Sequence, residues 1–381
     1  MFVYLDWTDT LGIIIESCAG SVTIAGRDAT GRPPLFFEAR VLTLVTSDRF
    51  ADHLTPPGHP ERHERAEVMQ VVAGEWRAAG GSVVEPRPAT DAELLRVHDA
   101  AYLADVMSTS GRAVAFDADT VTSPASVELA RLAAGAACQG VDLVLDGAAT
   151  RVCAFVRPPG HHAERDRAMG FCLFNNIAIA AAHARARGVS RVAIVDFDVH
   201  HGNGTQRCFY EDPAVLFVST HQSPFYPGTG AATQTGRGAG EGFTVNVPME
   251  AGANDADYLR VYERVVVPAV RQFAPELLLL SAGFDAHTDD PLAGMQVTTS
   301  GFARLALLLA ELADEVCGGR VVAVTEGGYS LPALGGSLRA LVGALGRPAA
   351  SGSPAAVGDP APRGDQAIAA ALPHLRTHWQ L

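Results

Sequence analysis

The stretch Arg191-Val-Ala-Ile-Val-Asp196-Phe-Asp198-Val-His200-His201-Gly-Asn203-Gly-Thr205 decides how this chain is read. Its first half is an apolar, β-branched run without polar alternation, the pattern of a strand buried on both faces of a parallel sheet. Its second half sets Asp196, Asp198 and His200 at i, i+2 and i+4. Extended side chains alternate between faces, so these three project to one side.

Four similar runs flank it: Arg151–Val156, Ala214–Ser219, Leu277–Ser281 and Arg320–Thr325. Between them lie Ala- and Leu-rich stretches with helical character, at Pro60–Ala79, Ser126–Leu145, Asn175–Arg187, Asp255–Phe273 and Ser300–Cys317. Strands alternating with helices predict a doubly wound α/β domain. Each run leads into polar residues: His161-His162, the Asp196–His200 triplet, Ser219, Asp285 and Glu326-Gly-Gly-Tyr329. Open α/β sheets bind ligands beyond the carboxyl ends of their strands. The predicted site is therefore one rim shared by five strand ends.

Composition narrows the class. The chain has 381 residues, 48% of them hydrophobic and 19% charged, enough to bury a large core, and a net charge of −13. That balance argues against a nucleic-acid surface. It serves solubility more readily than recruitment of cationic substrates. Lysine is absent, so all 29 basic residues are arginine; with the wealth of Ala, Gly and Val, this reads as a compositional bias. Cysteines at 18, 138, 153, 172, 208 and 317 form no C-x-x-C pair, which argues against a structural zinc knuckle or disulfide framework and suits a reducing cytoplasm. No run of 18 apolar residues suggests a membrane span, and Met1–Ile14, with Asp6 and Asp9, makes a poor signal peptide. Met1–Arg40 shows no clear period and is expected to be a poorly anchored extension, with the catalytic domain running from Val41 to Leu381. Residues 346–365, rich in Pro, Ala and Gly, read as a flexible loop, and residues 366–381 as a closing helix. The oligomeric state is left open.

Taken alone, Asp-x-Asp-x-His is as consistent with a solvated strand end as with a metal site. Asp285, at the end of a neighbouring strand, would complete a set of two carboxylates and one imidazole. Three such ligands with positions left open describe catalytic zinc, whereas structural zinc is closed by four. Asp196 is the natural partner of His161, because a carboxylate beside an imidazole fixes its tautomer. His161 and His162, on a rigid Pro-Pro-Gly loop, suit acid–base work, although two loop histidines can equally be structural. Asn203 would orient His162, and His201 reads as structural. Tyr329, beyond two glycines, is either an oxyanion donor or a packing tyrosine.

Arg157-Pro-Pro-Gly-His-His162, Gly170-Phe-Cys-Leu-Phe-Asn-Asn176, Asp196-Phe-Asp-Val-His-His-Gly-Asn-Gly-Thr205, Pro227-Gly-Thr-Gly230, Ser281-Ala-Gly-Phe-Asp285 and Glu326-Gly-Gly-Tyr329 together resemble the signature set of histone deacetylases and acetylpolyamine amidohydrolases. The resemblance covers about Val41 to Leu381. It implies the arginase/deacetylase fold, a parallel sheet of about eight strands with helices on both faces. It further implies one zinc ion held by Asp198, His200 and Asp285, acid–base roles for His161 and His162, and carbonyl polarisation by Tyr329. A potassium ion near Asp196 and Ser219, helped by the carbonyls of Asp198 and His200, follows from the same likeness. So does an acyl-lysine tunnel lined by Gly170, Phe171 and Tyr226, with Leu292 at its mouth and Asp119 on a rim loop. Asn203 in place of an aspartate resembles the class II branch and its bacterial relatives, and Tyr226 departs from the more usual phenylalanine. The implied reaction is zinc-dependent hydrolysis of an N-acyl amide, of acyl-lysine in a protein or peptide or, as the rival, of an acylpolyamine. A silent acyl-lysine binder would lack a ligand or the tyrosine, and none is missing. A dinuclear arginase-like centre would need more carboxylates than the Asp196–His200 strand offers.

Overall fold

In the computed structural model, the residues described are 14–18, 21–25, 42–347 and 359–381. The chain divides into two units, Met1–Arg40 and Val41–Leu381. Of the first, the described part is an antiparallel hairpin, β1 (Ile14–Cys18) and β2 (Ser21–Ala25), which the aperiodic sequence did not announce. How that segment is anchored lies outside the described residues.

The second unit is built on eight strands: β3 (Leu42–Val45), β4 (Ser82–Val84), β5 (Arg151–Ala154), β6 (Val192–Asp196), β7 (Val215–Gln222), β8 (Thr244–Met249), β9 (Leu277–Ala282) and β10 (Val321–Thr325). Their order is β4-β3-β5-β10-β9-β6-β7-β8, with every pairing parallel. The sheet is thus the eight-stranded parallel sheet of the expected α/β fold. The chain leaves β5 and returns as β6 beyond a gap that β9 and β10 later fill. This reversal at the centre of the sheet opens the crevice in which α/β sheets seat their ligands.

Strand side chains alternate between two cores. Ala193, Val195, Leu278, Leu280, Val321 and Ala323 face one apolar cluster, and Val192, Ile194, Leu277, Leu279, Val322 and Val324 face the other. The first is covered by helices that include Glu64–Ala78, Thr299–Cys317, Leu331–Leu345 and Pro362–Leu375, the second by Ser126–Leu145 and Asn176–Ala186. Burial on both faces is why these runs carry no polar alternation.

The predicted helices recur with small shifts. The Pro60–Ala79 stretch becomes helical only at Glu64, because Glu61 instead turns inward to pair with Arg65 and Arg157. Asp255–Phe273 is helical throughout but widens to a π turn at Tyr262–Val266, just before Pro268, whose nitrogen has no proton for the α ladder. The closing helix starts at Pro362, earlier than expected, and Trp379 beyond it donates its indole N–H to the Gly242 carbonyl. Most of the Pro/Ala/Gly-rich loop, residues 348–358, lies outside the described residues.

Candidate active site

The strand register assembles the rim. Asp196 of β6 pairs with Ser219 of β7 and Ser281 of β9, and β10 runs level with β5 and β9. Polar residues just beyond these positions therefore meet at one depth. Asp198, His200 and Asp285 do so, with donor atoms within 4.8 Å of one another and all three residues buried. His200 Nδ1 lies 3.1 Å from Asp198 Oδ1 and 3.0 Å from Asp285 Oδ2.

One ring nitrogen holds at most one proton and cannot satisfy two carboxylates. A shared cation satisfies all three, and bonds of about 2.0–2.2 Å around a tetrahedral ion put neighbouring donors roughly 3.3 Å apart. The donor set thus fits a divalent ion. The remaining carboxylate oxygens are tied to backbone: Asp198 Oδ2 accepts from Gly327 N–H at 2.8 Å and Asp285 Oδ1 from Val199 N–H at 2.8 Å. Glycine is required at two of the surrounding positions. A Cβ on Gly283 would lie 2.0 Å from Asp198 Oδ2, and one on Gly327 2.1 Å from Asp285 Oδ2. Burial lowers the basicity of His200, but the charges of Asp285 and Asp198 outweigh it and push its pKa up to about 10.

The histidine pair stands beside this centre. His161 Nδ1 lies 3.0 Å from Asp196 Oδ2, and its Nε2 is 3.8 Å from Asp198 Oδ1. His162 Nδ1 lies 2.8 Å from Asn203 Oδ1. Their environments separate them. Burial disfavours charge on both, but Asp198 and Asp196 hold His161 well above the usual imidazole range. At His162 burial and the neighbouring His161 and His200 outweigh the help of Asp198 and Asn203 and hold it well below that range. A charged and a neutral imidazole side by side is the division of labour that acid–base chemistry uses.

Two aromatic side chains flank the pair. Phe171 sits edge-on to Tyr329 at 5.8 Å, and Tyr226 edge-on to His162 at 5.2 Å. Gly170 has φ of 56°, and a Cβ there would come within 2.4 Å of the His162 ring. Phe171 N–H donates to Thr120 Oγ1, which anchors the wall to the Asp117–Thr120 turn. Asp119 lies exposed on that turn, its carbonyl facing His59 Nε2 at 2.9 Å. Leu292 is half-buried. Asp290, on the segment that leads from Asp285 to Leu292, is buried: Oδ2 accepts from the amides of Tyr329 and Ser330, and Oδ1 from that of Leu292. It is spent on backbone and cannot serve the rim. Ser219 Oγ bonds His221 Nδ1 at 3.0 Å beside the fully buried Asp196. His201 is buried between Thr229 and Gln206.

Several residues act on the site without having been singled out in the sequence. Glu326 Oε2 accepts from the amides of Gly160 and His161, fixing the histidine loop, and burial raises its pKa to about 7. Arg65 donates to the carbonyls of Gly328 and Glu326 and lies 5.1 Å over the Tyr329 ring. Glu326 stood in a quoted motif, and its place at a strand end was the available signal. Arg65 lies on a helix far away in sequence and offered none. A second group, Glu93, Cys138 and His183, also brings metal-type donors together. Both Glu93 oxygens are taken by Arg87, and His183 sits between Arg96 and Asp142, so guanidinium groups already supply the positive charge there.

A central switch in a parallel sheet, a buried Asp-His-Asp set and a split histidine pair define an α/β protein with a hydrolase-type, metal-capable centre. The "Histone deacetylase domain" pattern matches residues 59–345, and the chain belongs to the histone deacetylase family. It is 39% identical over 294 residues to a "Probable deacetylase" of Archaeoglobus fulgidus, covering 76% of this chain and 82% of that one. It is 44% identical to "Histone deacetylase 14, chloroplastic" of Arabidopsis thaliana, covering 68% of this chain and 65% of the relative. It is 45% identical to human "Polyamine deacetylase HDAC10", covering 66% of this chain and 39% of that protein. The crystal structure of the HDA15 HD domain superposes with a TM-score of 0.81 at 36% identity, covering 89% of this chain and 95% of that one.

Proposed function

We propose that the chain is a zinc-dependent deacylase that hydrolyses N-acyl amides, with acyl-lysine in proteins or peptides as its preferred substrate. The observation that carries this reading is the buried convergence of Asp198, His200 and Asp285 beside two histidines of opposite charge preference. Zinc at those ligands supplies Lewis acidity and lowers the pKa of water. The chain's own residues do the rest. His162, neutral and with Nδ1 facing Asn203, takes the nucleophile's proton at Nε2 and returns it to the leaving amine. His161, kept as imidazolium by Asp198 and Asp196, favours negative charge building up on the acyl oxygen. Tyr329, whose burial keeps the phenol protonated, donates to the same oxygen. Phe171 and Tyr226 exclude water from the apolar stem of the substrate. Asp196 and Ser219, facing each other across β6 and β7, are assigned to a potassium ion. We take the catalytic domain to be Val41–Leu381 and its location to be cytoplasmic, the compartment in which the five described free thiols stay reduced.

The acyl-lysine preference rests on the rim. Leu292 offers no counter-charge to a distal ammonium, and Asp290 is occupied by backbone amides. The second reading, acylpolyamine hydrolysis, is favoured by the exposed Asp117, Asp119 and Asp289 and by similarity to the human polyamine deacetylase. A panel of acetyl-lysine peptides and acetylpolyamines, assayed with and without a zinc chelator, separates the two. The expected result is higher kcat/KM on the peptides, abolished by chelation, with Leu292→Glu narrowing the gap. A preference for acetylspermidine overturns the substrate choice, and chelator-resistant turnover overturns the metal. Asp198→Ala, His200→Ala or Asp285→Ala should each remove most bound zinc and nearly all hydrolysis.

A further inference from the structure

The orientation of Asn203 is set by a carboxylate behind it. Its Nδ2 faces three acceptors: Glu164 Oε1 at 3.0 Å, Met169 Sδ at 3.3 Å and the His162 carbonyl at 3.4 Å. Its Oδ1 is left for His162 Nδ1. Glu164 is itself buried, its second oxygen held by Arg207, whose side chain reaches solvent. His162, Asn203 and Glu164 therefore form one line from the site toward the surface. An amide can present either a donor or an acceptor, and only its partners decide which. A carboxylate can only accept, so Glu164 draws the NH₂ to itself and forces the carbonyl toward His162. That in turn places the imidazole proton on Nδ1 and leaves Nε2 with its lone pair.

We propose that Glu164 is a positioning residue: through the Asn203 amide it fixes the tautomer in which His162 can act as a base. The proposal rests on the deacylase reading for its kinetic consequence, but not for its structural one. If Glu164 is lost, only the longer contacts to Met169 Sδ and the His162 carbonyl hold the Asn203 amide; it can then turn its NH₂ to His162 Nδ1, and the proton moves to Nε2, where it blocks proton abstraction. An aspartate at this position cannot make that error, since both its oxygens accept. Beside Glu164, however, it sets two carboxylates about 3 Å apart, in contact where a hydrogen bond now stands. The two positions should therefore show sign epistasis, a pattern that simple packing does not produce.

The test uses the full chain loaded with zinc and two readouts. The ¹⁵N shifts of His162, assigned by loss of signal in His162→Asn, report the tautomer. kcat and KM report the rest. In wild type the proton is expected on Nδ1. Glu164→Ala should give Nε2–H or a mixture, with kcat down on the order of tenfold and KM within about twofold, a part of what general-base catalysis contributes. Asn203→Asp alone should be impaired, and Asn203→Asp with Glu164→Ala should be more active than either single variant. Should Glu164→Ala fail to fold, Glu164→Gln takes its place. Alone it keeps most activity. In the double variant its NH₂ donates to the carboxylate introduced by Asn203→Asp, and activity should again exceed that of Asn203→Asp alone. A His162 that keeps its Nδ1 proton in Glu164→Ala, or an Asn203→Asp variant that gains nothing from removing the Glu164 charge by either substitution, overturns the proposal. Wild type inactive on every acyl amide would sink the deacylase reading while the ¹⁵N shifts still decide the tautomer.

Discussion

Tyr329 is held from three directions: Asp290 accepts its amide proton at 2.6 Å, Arg65 lies over its ring, and Phe171 abuts its edge. So much restraint on one phenol suits a group that must meet a charge developing at a fixed point, and a preorganised donor of that kind is worth roughly 10²–10³ in rate. Tyr329→Phe should fold, keep its zinc and lose about that factor in kcat; a wild-type rate would reduce the phenol to packing. Asp290→Ala removes the anchor but not the donor. Misplacement by about an ångström can cost up to about 10² in rate, so kcat should fall on the order of tenfold with metal content unchanged. Metal analysis beside steady-state kinetics checks both, and zinc loss in Asp290→Ala would assign that residue to the metal loop instead. At this scale the sequence was informative wherever chemistry dictated residue type. Asp198, His200, Asp285 and the histidine pair were legible because few residues bind metals or move protons. Asp290, Glu164 and Arg65 were not, because a side chain that grips backbone or another side chain has no signature until the chain is folded; Glu326 was visible only as a polar residue at a strand end.

The elements around the site are tied together by one buried ionic knot. Glu61, at the start of the segment leading into the Glu64–Ala78 helix, accepts from Arg65 and from Arg157 just beyond β5, and His53 Nε2 lies 3.5 Å away. Arg157 also donates to the carbonyls of Phe50 and His53, and Arg65 to the loop that carries Tyr329. Removing one partner of a buried pair leaves an uncompensated charge and costs about 3–5 kcal/mol. Glu61→Gln should lower stability by that order in chemical denaturation, and a loss under about 1 kcal/mol would show that the guanidiniums find other partners. The knot also has an acid limit. Burial, with the Arg157 charge adding to it, lowers the His53 pKa from 6.5 to about 4. Such a group contributes fully above pH 6.5 and loses its contribution as the pH falls through about 4, because the unfolded chain takes the proton first. Glu61 acts in the same direction lower down: burial raises its pKa, but Arg157 outweighs it and lowers it to about 2. Between pH 6.5 and 4 the melting temperature of His53→Gln should therefore lose less, or gain more, than that of the wild type, since Glu326, raised to about 7, acts in the opposite direction in both; identical slopes would clear His53. Element existence was legible where two-sided burial left a long apolar run; β3, fully buried over Leu42–Val45 alone, was not read. The five central strands and five long helices could be read from their apolar runs. β4, by contrast, has three half-buried residues, and β8, at the other edge, contains Asn246 and Pro248, which break the pattern while an edge position tolerates them.

On the scale of the whole molecule, the site exists because the sheet is parallel and level. Asp196, Ser219 and Ser281 are register partners, so a shift of one residue in β6 or β9 would take Asp198, His200 and Asp285 out of register with one another. The doubly wound class was legible from alternation alone, but the placing of β9 and β10 between β5 and β6 was not, since strand order depends on long-range pairing that no local pattern encodes. Among the described residues, all eight strands of the parallel sheet, both apolar clusters and every residue assigned to the site fall within Val41–Leu381. The described part of Met1–Arg40 is a two-stranded sheet that shares no strand pairing with the eight-stranded one. A chain beginning at Val41 should therefore keep its melting temperature within about 2 °C, roughly the shift that 1 kcal/mol produces in a domain of this size. It should also keep kcat/KM on an acetyl-lysine peptide within about twofold. Calorimetry and the peptide assay on the full and shortened chains test this together. Aggregation of the shortened chain, or a fall in melting temperature well beyond that range, would make Met1–Arg40 an integral part of the catalytic unit and refute the boundary at Val41.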